Sequence, residues 1–177
     1  NCDSDRRQFL HVTSVVDTPR FANPALRVVA TGWKFSGIYR RSSGAPLTIL
    51  AGSDRALNGS QVNASGVNVQ RANQVLASPI GNNSGGPLTS YLSPAAFAPP
   101  DIGTLGNSGR NSVRGPKTWS FDMAMSRIFQ LRERQKLEVR AEAFNITNTF
   151  RPGIPNTTVT NATFGVIRTA LDPRILQ

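Results

Sequence analysis

The side chains best suited to chemistry are charged residues that alternate with apolar ones. Glu138, Arg140 and Glu142 recur at every second position, and Asp122 lies in an earlier run of the same period. Period-two spacing places such residues on one face of a β-strand. Opposite charges on neighbouring strands can pair across that face. We expect these four to be structural charges, and they are also candidate ligand contacts.

Two arginines form a second candidate group. Arg110 and Arg114 flank Asn111 in a Gly-rich stretch, where they are candidates to contact an anionic ligand. Packing of the loop is the simpler role for both.

Other reactive groups are sparse. With the single cysteine Cys2 and the single histidine His11, the chain has no internal disulfide, Cys-rich zinc site or multi-His metal centre. A calcium loop needs oxygen ligands at close, alternating spacing, and four of the aspartates are too scattered for one: Asp3, Asp5, Asp54 and Asp101. We therefore expect no enzyme activity, no metal and no cofactor. His11 is expected to be a packed or solvated strand residue, and Cys2 an inert terminal residue.

The chain is strongly basic. It carries 20 Lys+Arg against 10 Asp+Glu, a net charge of +10, which first suggests a nucleic-acid partner. The basic residues are scattered, however, and no RNA-binding motif, basic helix or zinc-finger spacing accompanies them. We therefore expect no nucleic-acid partner. An anionic surface, such as lipopolysaccharide or an acidic glycan, also fits.

Alternating hydrophobicity predicts strands in two regions. Residues 118–131 place Trp119, Phe121 and Met123 on one face, and residues 136–144 return with the same period after a short polar turn. Together they predict an antiparallel hairpin over 118–144. Residues 7–51 are also strand-rich, because residues 31–41 alternate in the same way.

Turn-forming residues dominate the remainder. Gly, Pro, Asn and Ser make up about a third of the chain and concentrate in residues 52–117 and 148–163. We interpret 52–117 as a long surface loop or an excursion with short pieces of structure, and 148–163 as a second loop. Residues 164–177 contain the beginnings of further strands. The fold class expected is all-β, with antiparallel hairpins and long Gly/Asn/Pro-rich loops in one segment, 1–177.

Strands of about ten residues, with one apolar and one polar face and with long polar loops, are typical of a transmembrane β-barrel. On that interpretation the row Glu138, Arg140 and Glu142 faces a water-filled lumen. Aromatic residues near strand ends, such as Trp33 and Trp119, would lie at the bilayer interface. A soluble β-sandwich shows the same alternation, so the pattern alone leaves both architectures open.

Longer stretches resemble a known family. The order and spacing of several segments are similar to the C-terminal barrel region of TonB-dependent receptor-like outer-membrane proteins. The closest group is the Oar-like one, which carries an N-terminal carboxypeptidase-regulatory-like domain. The segments are 71–75, 91–97, 103–116, 131–133, 140–145, 164–167 and 172–177, with Asp122 and Asn148.

The resemblance implies a large barrel in the bacterial outer membrane that takes up or binds bulky nutrients, with a glycan or peptide as ligand and lipid as partner. The family's plug and final strand are not found in the 177 residues, and the chain opens without an initiator Met, so we expect a piece of something larger. The open strand edges of such a piece invite association. An alternative is therefore a structural subunit of a surface or extracellular filament, formed when copies of the chain associate.

Overall fold

The computed structural model describes residues 3–59, 69–81 and 86–177. Cys2, interpreted above as inert, lies outside the described residues. Regular structure is mostly strand, and the elements follow in chain order: β1 (Phe9–Asp17), α1 (Pro24–Ala30), β2 (Trp33–Ser42), β3 (Pro46–Leu47), β4 (Asn73–Gln74), a 3-10 helix (Pro94–Ala96), β5 (Phe97–Ala98), β6 (Val113–Arg114), β7 (Thr118–Arg132), β8 (Gln135–Phe144) and β9 (Ile175–Leu176).

The chain divides into two compact units. We call Phe9–Arg41, Trp119–Thr149 and Asp172–Gln177 the sheet unit, and we call Asn1–Gln8, Ser42–Thr118 and Phe150–Leu171 the loop unit.

The sheet unit is built on one five-stranded sheet of order β1-β2-β7-β8-β9. β7 and β8 form the antiparallel hairpin expected over 118–144, with Ser126 opposite Arg140 and Ile128 opposite Glu138. The neighbouring pairs are antiparallel as well. The Thr18 amide after β1 donates to the Trp33 carbonyl that opens β2 (2.9 Å), and Ser42 at the end of β2 contacts Thr118 at the start of β7. The expected all-β fold of antiparallel hairpins is confirmed.

A short helix interrupts the region expected to be strand-rich, 7–51. The Asn23 side chain accepts hydrogen bonds from the Ala25 and Leu26 amides, and Pro24 occupies the first turn. Both features stabilise a helix N-terminus. The period-two interpretation gave no indication of this helix, although the Asn-Pro pair is a signal for one.

The loop unit contains its own hydrophobic core. Ile49, Leu92, Val113 and Ile167 are almost completely buried there, and the rings of Phe97 and Phe164 meet edge to face at 5.8 Å. Residues 52–117, expected to be a loop with short pieces of structure, supply Leu92, Phe97 and Val113 to this core. Two small antiparallel ladders, β3 with β6 and β4 with β5, hold the segments together.

Candidate ligand-facing surface of the sheet

The two faces of the five-stranded sheet differ in chemistry. Because side chains alternate along a strand, Trp119, Phe121, Met123 and Met125 share one face of β7, which we call the apolar face. Asp122, Ala124 and Ser126 lie on the other, which we call the polar face. Register places Glu142, Arg140 and Glu138 of β8 opposite Ala124, Ser126 and Ile128. The sheet therefore brings four of the six candidate residues onto one surface: Asp122, Glu138, Arg140 and Glu142.

Asp122 is held on the polar face by an ion pair and by a hydrogen bond from a backbone amide. Its carboxylate is paired with the Arg40 guanidinium of β2, and its second oxygen accepts a hydrogen bond from the Asn145 amide at 2.8 Å. Asn145 is buried and has a left-handed backbone, with φ at 47°. Its side chain forms two hydrogen bonds with the backbone of Thr149. Asp122 thus joins β2, β7 and the turn after β8, which supports the structural role expected for it.

Arg140 and Glu142 form an ion pair along β8. Glu138 takes part in no ion pair within the described residues. An open cavity of about 500 Å³ in the sheet unit is lined by Asp17, Lys34, Ser36, Ser126, Glu138 and Arg140. Trp33, Ala124 and Ile128 are also part of its lining. A cavity of this size is within the range typical of ligand sites. The charges and hydroxyls of this lining offer hydrogen-bonding groups to a polar ligand, and Trp33 and Ile128 add apolar surface.

Arg40, Lys34 and Ser36 were not among the candidates chosen from the sequence. All three belong to the polar row of β2, so the alternation that identified the β8 charges also contained their signal. The alternation did not indicate that β2 pairs with β7.

Arg110 and Arg114 belong to the loop unit and each binds an aspartate near the N-terminus of the chain. Arg110 reaches both Asp3 oxygens, at 2.9 and 3.1 Å, and Asn111 donates to Asp3 at 2.8 Å. Arg114 contacts the Asp5 carboxylate and the Asp5 carbonyl, both at 2.7 Å. The structure therefore gives these arginines partners within the unit, which favours packing over an anionic ligand.

These contacts predict that acid releases the N-terminal segment. The hydrogen bond from Asn111, then the hydrogen bond and charge of Arg110, lower the pKa of Asp3 from 3.8. The Arg114 hydrogen bond, and the charges of Arg114 and Arg7, lower the pKa of Asp5. A carboxyl whose pKa is lower in the folded state stabilises that state above its unfolded pKa, and this contribution disappears as the pH falls through the folded pKa.

We therefore expect the Gln8 amide, which donates to the Ser43 hydroxyl at 3.1 Å, to exchange with solvent faster below the unfolded pKa of 3.8. Hydrogen exchange, corrected for the intrinsic pH dependence of the rate, measures this effect. Asp5→Asn removes the titrating group, so its exchange should already be fast at about pH 6. If the Gln8 amide of the wild-type protein is equally protected above and below pH 3.8, the prediction is contradicted.

The remaining residues with reactive side chains form no cluster within the described part of the chain. His11 is exposed and meets Phe9 edge to face at 6.3 Å, and no group of potential metal ligands occurs among the described residues. Within that part of the chain, no helix is long and apolar enough to cross a membrane.

Comparison with protein families identifies a match over the whole of the sequence. The family model described as "Outer membrane beta barrel domain" matches residues 1–177. No curated protein and no solved structure matches significantly. The sheet agrees with the family, since β1, β2 and β8 have 9, 10 and 10 residues and about 9–11 residues cross a bilayer. This chain belongs to the outer membrane beta barrel domain family, whose place is the bacterial outer membrane.

Proposed function

We propose that the chain is part of the wall and connecting loops of a TonB-dependent receptor-like barrel of the Oar-like group. In this role it takes up or binds bulky nutrients, with a glycan or peptide as ligand, and does not act as an enzyme. The observation that carries the proposal is the polar face of the sheet, where a cavity of about 500 Å³ lies among Lys34, Ser126, Glu138 and Arg140.

The two faces support this assignment. An apolar face containing Trp119, Phe121 and Met123 suits lipid, and a polar face with paired charges suits a water-filled lumen. A lumen that hydrogen-bonds its cargo needs exposed donors and acceptors. Glu138, which has no ion-pair partner among the described residues, and the Ser126 hydroxyl provide both. The resemblance of the loop segments to the Oar-like group supports the finer family assignment.

A cavity-filling substitution tests the proposal. Ser126→Trp places an indole among the residues that line the cavity, so binding of a polar ligand should weaken by at least ~10-fold, which corresponds to ~1.4 kcal/mol. Native mass spectrometry of the purified outer-membrane protein, with panels of defined oligosaccharides and oligopeptides, identifies the bound class and measures its affinity.

Met125→Trp is the matched control, because Met125 precedes Ser126 and lies on the apolar face. It should leave binding unchanged. Equal losses in both variants, or no binding by the wild-type protein to either panel, would overturn the proposal.

A different feature, the edge of the sheet, supports the filament alternative. β1 is at an edge of the sheet, and its Phe9 and Val15 side chains are exposed, which favours strand addition. Negative-stain electron microscopy of the same samples separates the two functions. Filaments with a regular subunit repeat favour assembly, and discrete particles favour a receptor.

A further inference from the structure

The short connections of the sheet lie at one end. Residues 18–32 join β1 to β2, and Glu133 and Arg134 join β7 to β8. Since these neighbouring strands are antiparallel, both connections leave the sheet at the same end, which we call the short-connection end. In bacterial outer-membrane barrels the short turns are periplasmic. This end therefore lies beside the inner leaflet, which is built of phospholipid.

Unpaired cations are concentrated at the short-connection end. Arg20 and Arg27 lie in the first connection, and Arg132, Arg134 and Lys136 surround the second. Among the described residues none of the five has a carboxylate within ion-pair distance. Their negative neighbours are Glu133, Glu138 and Asp17, and Asp17 already faces Lys34 at 4.0 Å. The end therefore carries a positive excess.

The same end presents an apolar helix surface. Leu26, Val28 and Val29 of α1 are 48%, 70% and 69% exposed, and α1 buries no residue. At helical spacing Leu26 and Val29 lie on one side of α1, and Arg27 lies on a different side. An exposed apolar surface next to unpaired cations is the composition of helices that lie in a membrane interface.

Arg127 holds this helix against the apolar face of the sheet, which the proposed function assigns to lipid. Its guanidinium donates to the Val28 and Val29 carbonyls at 2.6 and 2.8 Å and lies 4.5 Å from the ring centre of Phe129. The Trp33 indole donates to the Val29 carbonyl at 2.8 Å. Arg127 alternates with Met125 and Phe129 on the apolar face, so the C-terminal end of α1 is held against the surface that meets lipid.

We propose that α1 and the cations of the short-connection end form an interfacial anchor for anionic phospholipid headgroups of the inner leaflet. The helix inserts Leu26, Val28 and Val29 at the boundary between headgroups and acyl chains. The arginines and Lys136 bind the phosphates. Charge complementarity selects an anionic over a zwitterionic lipid, because a juxtamembrane cation contributes about 1 kcal/mol of attraction to an anionic surface.

Native mass spectrometry of the purified outer-membrane protein in detergent tests the anchor, with palmitoyl-oleoyl phosphatidylglycerol and phosphatidylcholine as probes. We expect the wild-type protein to bind the phosphatidylglycerol more tightly. The combined variant R132Q/R134Q/K136Q should lose roughly 100-fold in affinity for it, as expected for three surface cations. Val28→Asp, which adds a negative charge on α1, should weaken the same binding.

The matched control is R7Q/R41Q/K117Q, which removes three exposed cations outside the short-connection end. It should retain phosphatidylglycerol binding within about twofold, because none of its three cations belongs to the set proposed to bind the phosphates. Heat-dependent mobility in gels confirms that each variant is folded. Equal affinity of the wild-type protein for the two lipids, or an equal loss in the control variant, overturns the proposal. Displacement of phosphatidylglycerol by free inorganic phosphate at matched concentration also overturns it, because the site would then bind the anion without the lipid.

Discussion

Replacing Asp122 with alanine should lower the free energy of unfolding by about 2 kcal/mol, less than the roughly 3–5 kcal/mol for breaking a fully buried ion pair. The Asp122 side chain is 11% exposed and that of Arg40 is 46% exposed, so water compensates the guanidinium in part. The Asn145 amide has no such relief, since Asn145 is buried and loses its acceptor. Denaturant unfolding of the protein folded in lipid vesicles measures the change as a shift in midpoint at constant slope.

Asp122→Asn separates charge from hydrogen bonding, because its amide oxygen can still accept from Asn145. It should destabilise the protein by less than the alanine variant. Glu138→Ala is the control, since Glu138 is an exposed carboxylate on the same face with no ion pair among the described residues. It should change stability by at most about 0.5 kcal/mol. Equal effects of the alanine substitutions at 122 and 138 would show that the Asp122 contacts are not structural.

Gly44→Ala should destabilise the loop unit by about 3 kcal/mol, at the upper end for overpacking. A Cβ atom at Gly44 would overlap the Gly115 carbonyl oxygen. The contact is between backbones, so no flexible side chain can move away. The Gly115 amide also donates to the Ala45 carbonyl at 2.8 Å, beside the β3–β6 ladder. To relieve the overlap, β3 must move away from β6. These two strands carry Leu47 and Val113, which are buried in the core.

Gly86→Ala is the matched control. A Cβ there would meet the Thr89 side chain at 3.5 Å, an ordinary contact. Both substitutions change the entropy of the unfolded chain equally, so their difference isolates the overlap. Gly86→Ala should shift stability by at most about 0.5 kcal/mol. Thermal unfolding of the two variants in parallel gives the difference, and equal midpoints would contradict the close approach of Gly44 and Gly115.

The sequence was sufficient to predict the β7–β8 hairpin because its signal is local. Period two extends from Trp119 to Phe144 with one short polar turn, and a hairpin requires only that neighbouring segments pair. The composition of the polar face followed from the same alternation, so Asp122, Glu138, Arg140 and Glu142 were correctly placed together. Their role as ligand contacts stays a prediction.

The partner of Asp122 was not predictable in the same way. Arg40 is 82 residues earlier in the chain, and nothing local indicates that β2 rather than another strand lies beside β7. The core of the loop unit was not predictable for the same reason. Ile49, Leu92 and Ile167 come from three distant segments without hydrophobic period, and each is buried only because the others are. The α1 helix was missed because seven residues are too few for a clear helical period.

The sequence by itself determined that this chain is built of antiparallel strands with an apolar and a polar face, and its family model places it in the outer membrane. Alternation is a property of adjacent residues, so it needs no knowledge of the fold. Tertiary structure alone decided which strands are neighbours, that Gly- and Asn-rich segments have a hydrophobic core, and that Arg127 holds α1 on the apolar face. Those features depend on contacts between residues far apart in sequence, whose energies appear only once the chain has folded.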